Sequence, residues 1–195
     1  MIRSGPMSDR LRYTAVLEAH PEARNDAVRS IEVRASRLQS GTLQMSYVLD
    51  ADLDRVRIPQ LGSPRIGDRL WQHTCFEFFI RRKDRTGYQE FNFSPSAEWA
   101  AYAFEHYRKA AAPEQKELKP SITVHKSATK LELDVSLDLH ALSAQHAVHA
   151  LTLAISAVVE ARDGSLSYWA LRHAPGKPDF HHSDAFVLEL DEIRD

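Results

Sequence analysis

The run Leu131-Glu132-Leu133-Asp134-Val135-Ser136-Leu137 decides the fold class, because every odd position is aliphatic and every even one acidic or hydroxylic. Strand side chains alternate faces with period two, whereas a helix would space its apolar residues three and four apart. The segment reads as a strand with one face on a core and the other in water. Upstream, the apolar sets Leu11, Tyr13, Ala15, Leu17, then Ile31, Val33, Ala35, then Leu43, Met45, Tyr47, Leu49 alternate with mostly polar residues. The last set follows the turn-forming Ser40-Gly41.

Other stretches read as buried on both faces. Phe76-Glu77-Phe78-Phe79-Ile80 is aromatic-rich with a single acid, and Leu151 to Val159 consists almost wholly of small or branched apolar residues. Phe186-Val187-Leu188-Glu189-Leu190 closes the chain as a final strand. Turn signals at Gly62-Ser63-Pro64, Thr86-Gly87, Asp163-Gly164 and Pro175-Gly176-Lys177-Pro178 separate these runs. About ten short strands at such spacing predict a sandwich or barrel. Residues 96–112 are ambiguous: propensity and a Ser96 N-cap favour a helix, while alternation permits a strand. Leu139-His140-Ala141-Leu142 reads as one helical turn.

With 195 residues, 43% hydrophobic and 27% charged, the chain suits one domain, here placed at residues 10–195 after a disordered extension over 1–9. A net charge of −2 gives no electrostatic reason to expect nucleic acid or an anionic membrane as partner. A lone cysteine, Cys75, excludes an intrachain disulfide and reads as a small buried hydrophobe. Neither a signal-peptide core nor a run of about 20 apolar residues is visible, so the expected location is the cytoplasm.

Chemistry-bearing residues concentrate in 71–77, 90–99 and 167–184, which hold all three tryptophans. Aromatic rings with a few aimed polar groups suit a sugar, whose apolar face stacks while its hydroxyls bond carboxylates, amides and cations. The cluster His173, Asp179, His181, His182, Asp184 offers metal-ligand types, but its spacing matches no metal motif, so backbone-bonded loop histidines are expected and no metal. Glu77, Glu90 and Glu98 read as solvent-facing strand acids rather than a glycosidase pair. No G-x-S-x-G, P-loop or G-x-G-x-x-G occurs, which leaves nucleotide chemistry without support.

The segments LWQHTCFEFFI, YQEFNFSPSAEWAAYAF, LELDVSLDLHAL and ALTLAISAVVEARDGSLSYWALRHAPGKPDFHHSDAFVLEL, in this order, resemble DOMON-like domains. The resemblance is to the bacterial group related to family-nine carbohydrate-binding modules, and it covers about residues 10–192. It implies an all-β, jelly-roll-like antiparallel sandwich in which 98–105 is a strand paired with 88–95, against its propensity. It also implies a non-catalytic module for a carbohydrate or similar small polar molecule, without a cofactor. Glu77 occupies the glutamate place of a sugar-binding strand, with Thr74 and Cys75 replacing the usual polar pair. Sugar-binding relatives clamp the ring between two tryptophans, for which Trp71 and Trp169 stand in position and Trp99 is third. The candidate ligand-binding set is Trp71, Glu77, Asn92, Trp99, Trp169, His173 and Lys177. The alternatives are a haem-binding electron-transfer module, for which Met45 is the internal methionine, and a metal-dependent hydrolase using the His/Asp cluster. The resemblance also makes 180–182 a loop anchoring the last strand.

Overall fold

A computed structural model describes residues 10–23, 25–111 and 118–193; the expected extension over 1–9 lies outside them. The fold is an all-β sandwich. One sheet runs in the order β1 (Arg10–Val16), β3 (Val28–Leu38), β4 (Thr42–Ala51), β11 (Lys130–Asp138), β10 (Ser121–Lys126). The other runs β2 (Glu18–Ala19), β13 (Leu166–Ala170), β12 (Leu151–Glu160), β6 (Cys75–Arg82), β7 (Tyr88–Phe93), β8 (Glu98–His106), β5 (Arg65–Ile66). β9 (Lys109–Ala110) folds back on β8, and β14 (Leu188–Leu190) pairs with β12. Pairing is antiparallel apart from the short contact of β5 with β8.

The alternation in the sequence becomes the core. Ile31, Val33, Leu43, Tyr47, Leu49, Leu131 and Leu133 face Phe76, Phe78, Ile80, Phe91, Phe93, Leu153 and Ile155 of the second sheet. Met45 belongs to the same core. Trp169 is there too, its indole N–H donating to the Ser167 hydroxyl at 3.1 Å. Tyr47 donates across the core to the backbone carbonyl of Glu77 at 2.8 Å, which ties the sheets together at one point.

Residues 98–106 are a strand, paired in register from Phe93↔Trp99 to Tyr88↔Phe104. Two features override the helix propensity. Ala97 takes a left-handed φ of 68°, which turns the chain back on itself, and the Tyr88 and Phe104 rings stack at 4.8 Å. The helical turn near Leu139 is a 3₁₀ turn over Leu139–Ala141, followed by α1 (Ala144–Val148). Ser143 caps α1 by accepting the His146 N–H at 3.2 Å. Among the described residues no helix is long and apolar enough to cross a membrane.

β3 ends its inward row on a cation. Arg37 is 2% exposed and donates to the carbonyls of His149 (2.7 Å), Asp191 (3.2 Å) and Ala147. A planar guanidinium can serve several carbonyls at the end of α1 and the C-terminal stretch at once, where an ammonium has no such fork. Arg37→Ala should therefore cost about 3 kcal/mol in urea unfolding, since it strands buried acceptors and opens a hole. Arg37→Lys should recover only part of that loss.

Candidate functional site

Alternation along the second sheet aims a different set of side chains away from the core. β6 presents Cys75, Glu77 and Phe79; β7 presents Tyr88, Glu90 and Asn92; β8 presents Ala100, Tyr102 and Phe104. β12 adds Ser156 and Val158, and β13 adds Leu166 and Tyr168. This face is not left to water. At one end Leu70 packs on Cys75, Ala100 and Tyr102. At the other, Ala185 and Phe186 pack on Phe79, Tyr88 and Ala154, with Phe104 and Phe180 alongside.

Between the two covered patches lies a cleft of about 560 Å³, within the roughly 300–1,000 Å³ common for small-molecule sites. Glu77 and Glu90 contribute carboxylates to its lining, which Trp71, Tyr102, Phe79, Phe104, Tyr168 and Phe180 wall with rings. Trp71 and Tyr102 meet edge to face at 5.5 Å, as do Phe104 and His181 at 5.1 Å. Arg108 and His181 complete the polar lining. Arg108 has a left-handed φ of 52° in the β8–β9 turn, a conformation that costs a residue with a side chain about 1–2 kcal/mol. Its backbone N–H donates to the Tyr88 hydroxyl at 3.2 Å and its guanidinium to Asp179 at 2.8 Å.

The two carboxylates are poorly compensated. Glu77 is 2% exposed; its Oε2 accepts from the Ser156 hydroxyl at 3.4 Å, and among the described residues its Oε1 has no hydrogen-bond partner. Burial, then the neighbouring Glu90 charge, push Glu77 well above the ordinary carboxylate range. Glu90 is also raised by burial, although the Asn92 amide donates to it at 2.8 Å. Burial, then the Arg108 charge, lower His181 to about 4, so its imidazole is neutral at pH 7. Tyr88 shares a 2.8 Å hydrogen bond with Nδ1 of that ring, and Nε2 lies 3.6 Å from Glu90. Asp179 stays low despite its burial because Tyr107 and Arg108 donate to it.

The sequence-derived residues separate. Trp71 (38% exposed) and Glu77 line the cleft, and Asn92 lies on the same face, bonded to Glu90. Trp169 does not join Trp71 in a clamp, because its strand parity sends it into the core. Trp99 likewise packs against the core, bordering a separate apolar groove with Phe91 and Leu118. His173 bonds the Glu18 carbonyl at 2.8 Å and meets His20 edge to face at 4.9 Å, and Lys177 is exposed next to Pro178 of the cleft.

Two expectations are corrected, and both alternative readings lose their residues. Glu77 and Glu90 are buried rather than solvent-facing, because the chain around Leu70 and the C-terminal segment cover their face. His181 bonds the Tyr88 phenol and His182 accepts the Asp184 N–H at 3.2 Å, so neither bonds a carbonyl as expected. The His/Asp set supposed for a hydrolase is dispersed among these separate partners, and among the described residues no group of three such side chains is placed to hold a metal ion. Met45, the internal methionine named for a haem-binding module, is enclosed in the core.

Reading the residues alone missed Glu90, Tyr102, Phe104, Tyr168, Phe180, Arg108 and His181 as cleft residues. A signal was present, since aromatic and apolar residues on both parities of 75–80 and 88–93 mean that both faces are covered.

No family model and no curated protein matches the chain. Among solved structures it is similar to a protein of Bacteroides uniformis described as a putative carbohydrate-binding protein. The two superpose with a TM-score of 0.60 at 16% identity, over 89% of this chain and 84% of the other. At that identity the likeness shows a shared fold.

Glu77 has a folded-state pKa above its unfolded value, so its ionisation opposes folding as pH rises from about 4.3 upward. Glu77→Gln should therefore raise the melting temperature at pH 7. The gain should shrink to nothing as pH falls below about 4.3, amounting to about 1.4 kcal/mol per unit by which the pKa is raised. Thermal melts of both proteins across pH 4–8 measure this.

Proposed function

We propose that this chain is a non-catalytic carbohydrate-binding module, residues 10–195 acting as one binding unit with the sugar in the cleft over Glu77 and Glu90. The observation that carries this reading is the free Oε1 of Glu77, a buried acceptor without a partner among the described residues, in a cleft walled by aromatic rings. An unpaired buried acceptor is costly, and a sugar hydroxyl would satisfy it. The Trp71 and Tyr102 rings offer the apolar surface that the C–H face of a pyranose needs. The resemblance to DOMON-like domains and family-nine modules supports the same reading. So does the fold shared with the Bacteroides uniformis protein, itself described as a putative carbohydrate-binding protein.

Binding fits this arrangement better than glycoside hydrolysis. Burial pushes both Glu77 and Glu90 upward, whereas hydrolysis needs one of the two carboxylates kept ionised as nucleophile or base.

Isothermal titration against a panel of monosaccharides and cell-wall fragments tests the proposal. Trp71→Ala should weaken sugar binding tenfold or more, about 1.4 kcal/mol, with an unchanged melt. Trp169→Ala should instead destabilise the fold by about 3–5 kcal/mol. Sugar binding that survives Trp71→Ala at full strength, or no binding across the panel, would overturn the reading.

A further inference from the structure

The charges around the cleft do not balance, and the imbalance is informative. Glu77 is faced by Glu90, the Cys75 thiol and the Ser156 hydroxyl, none of them a cation. Glu90 is faced by the Asn92 amide and by His181, with Arg108 acting on it from the rim. Tyr88 and Tyr102, the other titratable groups close by, are neutral phenols whose ionisation burial opposes. Among the described lining residues positive charge comes from Arg108 alone, and its guanidinium is engaged by Asp179 at 2.8 Å. The His181 ring is neutral at pH 7.

We propose that the bound carbohydrate is an amino sugar whose protonated amine is received by Glu77 and Glu90. This rests on the carbohydrate reading above and names the chemical class of its ligand. A hydroxyl donating to Glu77 Oε1 would fill one acceptor but would not offset the cost that burial and the nearby Glu90 place on ionising it. An ammonium has three donors and a full charge, so it satisfies the vacant oxygen and neutralises the pair in one contact. Desolvated carboxylates without a counter-cation are expensive, which makes the gain specific to a charged ligand group. The Trp71 and Tyr102 rings add faces that attract a cation. An acetylated amine keeps the sugar's shape but loses the charge and two of the donors, so the site should discriminate against it.

Titration calorimetry of the purified chain at pH 6.5 against glucosamine, galactosamine, glucose, galactose and N-acetylglucosamine tests this. At least one amino sugar should bind tenfold or more tighter than both its neutral parent and the N-acetyl form. Glu77→Gln, which removes a buried charge and should melt no lower than the wild type, should abolish that preference. Neutral sugars binding as tightly as amino sugars would overturn the amino-sugar inference and leave the carbohydrate reading standing. A preference that survives Glu77→Gln in a folded variant would do the same. Failure of every sugar to bind would overturn both.

Discussion

The second sheet is covered on both faces, and most of the molecule's chemistry follows from that constraint. A strand aims alternate residues to opposite sides, so β6 commits Phe76, Phe78 and Ile80 to the core and must find cover for Cys75, Glu77 and Phe79. Cover for the aromatic positions is straightforward. For the acids it is not, because a carboxylate beneath packed rings loses water and gains little in exchange. The Tyr47 hydroxyl bonds the Glu77 carbonyl from the core side, which fixes from behind the backbone whose side chain faces the cleft. The carboxylate is thus held by the sandwich itself rather than by a loop, which favours accurate placement of a recognition group.

The molecule treats its buried charges in two ways. Arg37 is buried with both terminal nitrogens donating to backbone carbonyls, its Nε alone lacking a partner among the described residues, and so contributes to holding α1 and the C-terminal stretch against the first sheet. Glu77 has only the weak donors Ser156 and Cys75 beside it, a second acid nearby and, among the described residues, an Oε1 without a geometric hydrogen bond. A charge that serves the fold is surrounded by complementary dipoles, whereas a charge kept at a cost to the fold points to function. The left-handed Arg108 belongs with the second kind: its strain accompanies a guanidinium held at the rim and an N–H set on Tyr88.

The sandwich was legible in the sequence because alternation is a local signal with one physical cause. Leu131 to Leu137 and Leu43 to Leu49 read as they fold. The strand over 98–106 was not legible from propensity, since only the tertiary stack of Phe104 on Tyr88 and the turn at Ala97 tip the balance. The cleft was half legible. Trp71 and Glu77 stand out by type and position, but parity sends Trp169 to the core, and residue type alone does not report parity. Glu90 read as a surface acid because the residues that cover it come from about a hundred positions later in the chain, beyond any local pattern.

One feature of the second sheet bears on how such a site can diversify. β13 and β14 lie end to end along the same edge of β12, at Ser156–Glu160 and Leu151–Leu153. The intervening residues 171–187, which bring Pro178, Phe180 and His181 to the cleft, are therefore pinned at both ends by ladders belonging to the sandwich. Doubling the length of a loop with fixed ends costs only about 0.6 kcal/mol in closure entropy. Insertions and deletions in its exposed part, at 175–177, are thus nearly uncoupled from assembly of the core, while Ala185 and Phe186 stay committed to covering Phe79 and Tyr88. The scaffold can drift toward new ligands through one segment while its sheets stay unchanged.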